Sequence, residues 1–309
     1  MKNDVYVIFS SINPPIKTLV QQSLKTFNDD SKVCVITSSK YAKSWSELGN
    51  RVQIAKFDST TKLKIFIRKF LLRSGLLRLG LRFALRHFFK KSRQVMMPPH
   101  NARHFEYLRA INRLNPNDWV VLVDSRDLIF QISPQEIING LNKEISIHLF
   151  LENGRFFKDG QIQHNDVSPA NWNWASQVLN EDFFMLEKLR GTEIINSGCI
   201  IGRVEELRKF LAESCKLLSE SLYSSYALLD QASINVLAYS TESNFDIAIH
   251  TNGEIVLNMC GVVDERIDLV EGRLFIKNKL VPVIHQLDRF GTWDASAGLN
   301  LDKRQYKVQ

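Results

Sequence analysis

Short apolar runs rich in β-branched residues alternate with helical or polar stretches over the N-terminal part of the chain. The pattern predicts strands at residues 5–9, 33–37 and 52–57, and a helix around residues 16–27. Strands that alternate with helices favour a parallel sheet joined by crossover helices. The first part of the sequence is therefore predicted to be α/β.

The remaining patterns extend this arrangement. They predict helices at 105–114, 204–219 and 229–239, strands at 119–123, 145–151, 199–201, 247–250 and 281–285, and a polar, Trp-rich loop at 159–175. We find no internal repeat, low-complexity tract or Gly/Ser linker. The prediction is one α/β domain over residues 1–309, with a Rossmann-like central mixed sheet flanked by helices.

Charge is distributed unevenly. The 309 residues carry a formal net charge of +7, yet residues 59–105 contain twelve basic residues and no acidic ones, so 28 basic residues face all 33 acidic ones elsewhere. Within residues 62–93, Arg78, Arg82, Arg86 and Lys90 recur every four residues between apolar positions, which predicts a basic amphipathic helical insertion. Such a helix suits an anionic membrane surface. The alternative is that it packs on the domain, and nothing around it favours nucleic acid.

Other sequence features narrow the compartment and the protein class. Four scattered cysteines form no CxxC pair, which disfavours a zinc ribbon or a disulfide framework. The sequence shows neither a secretory signal pattern nor an apolar stretch of membrane-spanning length, so we expect a cytoplasmic protein, peripheral on the inner face of the membrane if residues 62–93 bind lipid. It also contains no GxGxxG, GxxxxGK or GxSxG motif, which disfavours dinucleotide enzymes, P-loop NTPases and α/β-hydrolases.

The strongest chemical signal follows the predicted strand 119–123. Asp124 and Asp127 come at its carboxyl end, where open α/β sheets bind their ligands. Two carboxylates three residues apart suit Mg²⁺ or Mn²⁺ shared with a diphosphate. The alternative is a surface turn in which Asp127 pairs with Arg126 or caps the next element.

Four segments in order carry a resemblance to GT-A glycosyltransferases: WVVLVDSRDLIF (119–130), INSGCIIG (195–202), LDQ (229–231) and VPVIH (281–285). The first resembles the DxD-type metal motif. The Asp-x-x-Asp spacing is similar to that of the glycosyltransferase domain of multifunctional lysyl hydroxylases. The sequence also resembles retaining galactosyltransferases of bacterial lipopolysaccharide synthesis, although those place the two carboxylates two residues apart, and Ser125 stands where that spacing requires an aspartate.

The resemblance implies a metal site and a reaction centre. Asp124, Asp127 and His285 would bind Mn²⁺ or Mg²⁺, with His250, in the sequence HTNG, as the competing histidine. Asp230 and Gln231 would be catalytic, on the face of the donor sugar opposite the leaving diphosphate. The alternative for Asp230 is an ordinary helix cap.

The resemblance also implies donor contacts. Asn196 would hydrogen-bond sugar hydroxyls, and Gly198 would let the backbone approach the donor. Ser10, at the end of the first strand, lies where the base and ribose would bind. Arg103 and Arg109 would face the diphosphate, or else are solvated helix residues.

Two tryptophans are candidates on composition alone. Trp172 and Trp174 lie in a segment rich in Asn and Gln, which suits stacking on a sugar ring, although two aromatic residues pinning a long loop to the core explain them equally.

The predicted function is metal-dependent transfer of a sugar from a nucleotide-sugar donor, with UDP-sugar favoured, to a glycan or lipid-linked acceptor in bacterial surface polysaccharide synthesis. Retention of anomeric configuration follows from the Asp-Gln relatives, and an inverting reaction with Asp230 as base stays open. The alternatives are a nucleotidyltransferase, which usually has a Gly-rich basic loop where residues 10–15 read SSINPP, and an inactive membrane-associated binding protein.

Overall fold

A computed structural model provides the coordinates of the chain. It describes residues 4–11, 17–27, 31–37, 39–47, 52–56, 99–156, 168–180, 182–221, 228–240, 244–260, 267–287, 291–294 and 298–301. The predicted basic segment 62–93 lies outside the described residues.

A seven-stranded mixed sheet forms the centre of the protein. Its strands, in spatial order, are β3 (Val52–Lys56), β2 (Ser31–Thr37), β1 (Val5–Ser11), β4 (Trp119–Asp124), β7 (Glu193–Arg203), β6 (Ile147–Arg155) and β8 (Ile247–His250). The strands β1 to β4 run parallel to one another, and β7 is antiparallel to both of its neighbours. Because β7 is antiparallel to β4, its middle residues, rather than its last ones, lie at the edge of the sheet where the parallel strands end.

Helices cover both faces of this sheet. The described helices are α1 (Lys17–Thr26), α2 (Ser39–Ser46), α3 (Pro99–Ile111), α4 (Pro134–Gly140), α5 (Ser168–Val178), α6 (Phe183–Leu189), α7 (Val204–Glu220) and α8 (Leu229–Tyr239). Residues of α1, α2 and α4 pack with one set of strand side chains, and residues of α3, α7 and α8 pack with the alternate set. None of the helices in the described part of the chain is both long enough and apolar enough to span a bilayer.

Side chains along β4 alternate between the two faces of the sheet, and this alternation determines which helix the acidic motif faces. Val121 and Val123 belong to the core on one face, whereas Val120 and Leu122 belong to the core under α3. Asp124, two residues after Leu122, lies on the same face as Val120 and Leu122. It therefore faces α3, whose residues Arg103, Tyr107 and Ile111 are spaced four apart along one side of that helix.

Smaller sheets follow the central one. In one of them, β13 (Val283–His285) lies between β5 (Ile129–Phe130) and β9 (Val256–Asn258). The others are β10 (Ile267–Val270) with β11 (Arg273–Ile276) and β12 (Lys279–Leu280), and β14 (Gly291–Asp294) with β15 (Gly298–Leu301). Because β5 comes directly after the acidic motif, its pairing with β13 carries His285 back to Asp124 and Asp127.

The predicted central mixed sheet flanked by helices is confirmed, as are the helix at 229–239 and the strand at 247–250. The Trp-rich loop is wrong in part, because residues 168–178 form the helix α5. The helix predicted at 105–114 begins earlier, at Pro99, a residue that the first helical position tolerates because its missing N–H has no partner there anyway. The pattern did not predict α2, α4 or α6.

Candidate active site

The carboxyl edge of the central sheet collects most of the predicted site residues. Ser10 is the last residue but one of β1 and is in register with Asp124 at the end of β4. Cys199 of the antiparallel strand β7 is in register with Val123 of β4, so Asn196–Gly198 meets the same edge. The topology thus gathers these side chains at the place where open α/β sheets bind ligands.

A buried arginine from α3 links three of these segments. The Arg103 guanidinium is 5% exposed and pairs with Asp124, with the Asp230 carboxylate at 2.5 Å and with the Ser197 hydroxyl at 2.6 Å. Burial alone would raise the pKa of Asp124, but Arg103 and then His285 lower it to about 2. Asp124 is therefore a carboxylate at neutral pH, and Arg103 is held between two acidic groups rather than turned towards solvent.

His285 faces both aspartates of the acidic motif. Its Nε2 lies 3.7 Å from a carboxylate oxygen of Asp124 and 3.6 Å from one of Asp127, while its Nδ1 is 2.8 Å from the amide oxygen of Asn258. Burial lowers the pKa of His285, but Asp127 and Asp124 together outweigh it, so the pKa is raised. The surroundings of this ring favour positive charge.

Gly198 provides the space that the His285 ring occupies. A Cβ atom on Gly198 would lie 2.8 Å from Nδ1 of His285 and closer still to Cε1 and Nε2. The sequence predicted that this glycine lets the donor approach. That role stays a prediction, and the structure shows a different reason for the glycine, since any larger residue would displace the histidine.

The donor set suits a hard divalent cation, because it combines two carboxylates with an imidazole nitrogen whose partner nitrogen is already engaged. At ligand distances of roughly 2.0–2.2 Å, two neighbouring ligands lie about 3 Å apart, so Nε2 and the two carboxylates would have to approach each other by about 0.6–0.7 Å. Within the residues that the structure describes, no group of three or more His, Cys, Asp or Glu side chains is already gathered tightly enough to hold a metal.

A second buried carboxylate, which the sequence did not single out, lies beside the predicted sugar contacts. Glu152 is 6% exposed and accepts hydrogen bonds from Asn196 at 2.6 Å, from Gln231 at 2.8 Å and from Asn171 at 3.5 Å. The available signal was its position directly after the predicted strand 145–151. Its partners, however, come from three separate segments.

The side-chain amides of Asn196, a predicted sugar contact, and Gln231, a predicted catalytic residue, are held at both ends. Asn196 donates to Glu152 and accepts from the backbone N–H of Gly198 at 2.7 Å. Gln231 donates to Glu152 and to Asn171, and its oxygen accepts from the Ser197 backbone at 3.3 Å. Both side chains are fixed in orientation before any ligand binds.

Asp230 is fully buried, in the first turn of α8. The cap of that helix is Leu228, so the alternative role of Asp230 as its N-cap is wrong. One carboxylate oxygen pairs with Arg103, and the other makes no hydrogen bond to the described residues. A buried carboxylate of this kind depends on its arginine partner.

Other candidates lie apart from this cluster. Arg109 is 55% exposed and pairs with Glu106 within α3, as its solvated alternative predicted. His250 stacks on His148, so of the two competing histidines it is His285 that adjoins the acidic motif.

The tryptophans lie on α5 rather than on a loop. Trp172 is buried in a cluster with Phe156 and Leu229, with the Arg190 guanidinium 5.3 Å from its ring centre, and Trp174 packs against the same cluster. Their local role is to attach α5 to the core, and contact with a sugar stays a prediction.

No protein-family model matches the chain, and no curated protein matches it in sequence. Among solved structures, mouse xyloside xylosyltransferase 1 in its apo form aligns with 92% of this chain and 97% of its own, at 10% identity and a TM-score of 0.46. The apo structure of the bifunctional glycosyltransferase WbbM aligns with 92% of this chain and 45% of its own, at 14% identity and a TM-score of 0.48. Likenesses this distant say nothing about substrate or mechanism.

Proposed function

We propose that this chain is a metal-dependent glycosyltransferase that moves a sugar from a nucleotide-diphosphate donor to a glycan or lipid-linked acceptor. The observation that carries the proposal is the meeting of Asp124, Asp127 and His285 at the carboxyl edge of the sheet, beside a second cluster of buried polar side chains. We assign the diphosphate of the donor to the first of these clusters and its sugar to the second.

The residues that would hold Mn²⁺ or Mg²⁺ are Asp124, Asp127 and His285. When bound there, the cation supplies Lewis-acid stabilisation of the departing nucleotide diphosphate. Neighbouring residues of the chain hold these metal ligands in position. Arg103 holds one oxygen of Asp124, leaving its other oxygen on the His285 side, and Gly198 leaves room for the imidazole.

The donor would lie along the same edge. Ser10, beside Asp124 on the adjacent strand, is the proposed neighbour of the nucleotide base and ribose, and UDP-sugars are the favoured donors. Asn196 and Gln231 would orient the sugar. Their amides are already fixed by Glu152, so binding costs little side-chain ordering.

We assign the stereochemistry and setting by the same resemblance. Asp230 and Gln231 would lie behind the anomeric carbon, as in retaining enzymes, with the side chain of Asp230 held in place by Arg103. The acceptor setting is bacterial surface polysaccharide synthesis, and the basic segment 62–93 would bring the protein to an anionic membrane surface.

A thermal-shift panel tests the proposal. UDP, GDP, CMP and their common sugars are each added with Mn²⁺ or with EDTA to wild type and to Asp127→Asn. A ligand at a hundredfold its dissociation constant stabilises the native state by about 2.7 kcal/mol. We expect a thermal shift for one class of nucleotide, which requires Mn²⁺ and is lost in the variant. An activity assay with the corresponding sugar donor should then detect release of the free nucleotide. A panel without any shift would contradict the proposal and favour an inactive binding protein.

A further inference from the structure

We propose that Asn258 is a positioning residue that fixes the tautomer of His285 so that Nε2 is the nitrogen presented to the metal. The inference rests on the proposed metal-dependent function and adds to it a residue that no motif indicated. Asn258 is fully buried at the end of β9, in register with His285 on the parallel strand β13.

The orientation of the Asn258 amide follows from its second partner. Its Nδ2 lies 2.8 Å from the backbone carbonyl of Leu151, which can only accept a hydrogen bond. The amide nitrogen must therefore face Leu151, and the amide oxygen must face the ring of His285. The opposite rotamer would set two acceptor oxygens against each other inside the core.

The tautomer of His285 follows from that orientation. The amide oxygen of Asn258 lies 2.8 Å from Nδ1 of His285 and cannot donate, so Nδ1 must carry the hydrogen. In a neutral imidazole the other nitrogen then has a free lone pair. That nitrogen, Nε2, is the one that lies 3.6–3.7 Å from Asp127 and Asp124.

Asn258 is itself held firmly enough to impose this choice. Its backbone N–H donates to the side-chain oxygen of Asn252 at 2.7 Å, and the amide of Asn252 donates back to its carbonyl at 3.0 Å. Gly198 also sets the backbone of β7 against the ring of His285. The histidine is therefore confined by contacts from β9 and β7 at once.

Calorimetric titration of Mn²⁺ separates this role from simple packing. Asn258→Ala removes the acceptor and should weaken Mn²⁺ binding about ten- to hundredfold. In Asn258→Asp a carboxylate oxygen still accepts from Nδ1 but cannot donate to Leu151. That variant should be less stable, yet should bind Mn²⁺ within about threefold of wild type.

Asn235→Ala is the matched control, because Asn235 is equally buried and bonds to the Ile195 backbone rather than to His285. It should lose stability and keep its Mn²⁺ affinity. If Asn258→Asp weakens Mn²⁺ binding as much as Asn258→Ala does, Asn258 acts only through packing and the proposal is overturned.

A second measurement does not depend on the metal. ¹⁵N NMR of the histidine rings, recorded in EDTA at a pH at which they are neutral, should show hydrogen on Nδ1 of His285 in wild type and a mixture of tautomers in Asn258→Ala. Hydrogen on Nε2 in wild type would overturn the inference. Wild type that shows the Nδ1–H tautomer but binds no Mn²⁺ would instead contradict the metal-dependent function while leaving the positioning role of Asn258 intact.

Discussion

Two strands of this protein, β13 and β8, end in a histidine, and the two rings have different surroundings. His285, at the end of β13, faces the carboxylates of Asp124 and Asp127. His250, at the end of β8, lies with its Nε2 2.9 Å from Nδ1 of His148, and the two rings stack with centres 5.2 Å apart. The same sequence pattern, an apolar strand closed by histidine, thus produces a site that attracts positive charge and a packed pair of rings.

The protonation of the two histidine clusters reflects this difference. Asp127 and Asp124 raise the pKa of His285 against the effect of burial. Burial, and then the neighbouring His250 ring, lowers the pKa of His148 to about 4. Neighbouring carboxylates thus favour the charged form of the buried His285 ring, whereas burial and a neighbouring imidazole disfavour the charged form of His148.

The largest difference between the two clusters should appear in metal affinity. His285→Ala removes a proposed ligand, so Mn²⁺ binding should fall by at least about a hundredfold. His250→Ala removes a ring that contacts His148 and Glu254 but none of the proposed ligands, so it should leave Mn²⁺ affinity as in wild type. Calorimetric titration measures both, and equal losses in the two variants would erase the distinction between the clusters.

A smaller effect is expected from the backbone that supports His285. Gly198→Ala places a methyl group against the His285 ring, closer than van der Waals contact allows, so it should lower the free energy of unfolding by about 1–3 kcal/mol and weaken Mn²⁺ binding about tenfold or more. Gly140→Ala is the matched control, since a Cβ there meets nothing within 4 Å. Urea denaturation of both variants, with Mn²⁺ titration, tests the expectation. An unchanged Gly198→Ala would mean that the ring is free to move aside.

The smallest effects, with opposite signs, concern pH. The pKa of His148 is lower in the folded protein than in the unfolded chain, so its stabilising contribution is present above about pH 6.5 and is lost as the pH falls towards 4. His148→Gln should therefore reduce the loss of unfolding free energy between pH 7 and pH 5 by roughly 1–2 kcal/mol.

In EDTA, His285 should behave in the reverse way. Its pKa is raised, so its contribution is present below the unfolded pKa and is lost as the pH rises through the folded pKa. In His285→Gln the free energy of unfolding should therefore decrease less, as the pH rises, than it does in wild type. Urea denaturation from pH 5 to pH 9 compares the two variants, and slopes of the same sign would contradict the assigned surroundings.

Much of the fold could be predicted from the sequence because apolar residues recur at regular helix or strand spacing. The apolar pattern of residues 229–239 and 247–250 marks α8 and β8 to the residue. The helix α5 was missed because Pro169, Asn171 and Asn173 favour a loop locally. Tertiary packing overrides that preference, since Trp172 and Ala175 on this helix enter the core.

The candidate site was readable only where a motif carried it. Asp124, Asp127 and His285 lie in segments that resemble known motifs, and the structure brings them together. Glu152 and Asn258 have no such signal. Their importance depends on partners that the topology supplies, such as the Leu151 carbonyl for Asn258 and Gln231 for Glu152, and no spacing along the chain encodes those contacts.

The most direct test of the central claim is an anomalous-difference map from crystals of the protein soaked in Mn²⁺ and UDP. The account predicts one strong Mn²⁺ peak at roughly 2.2 Å from Asp124, Asp127 and Nε2 of His285, with the diphosphate beside it. Crystals that bind UDP without Mn²⁺ at these residues, or that carry Mn²⁺ at the His148–His250 pair instead, would contradict it.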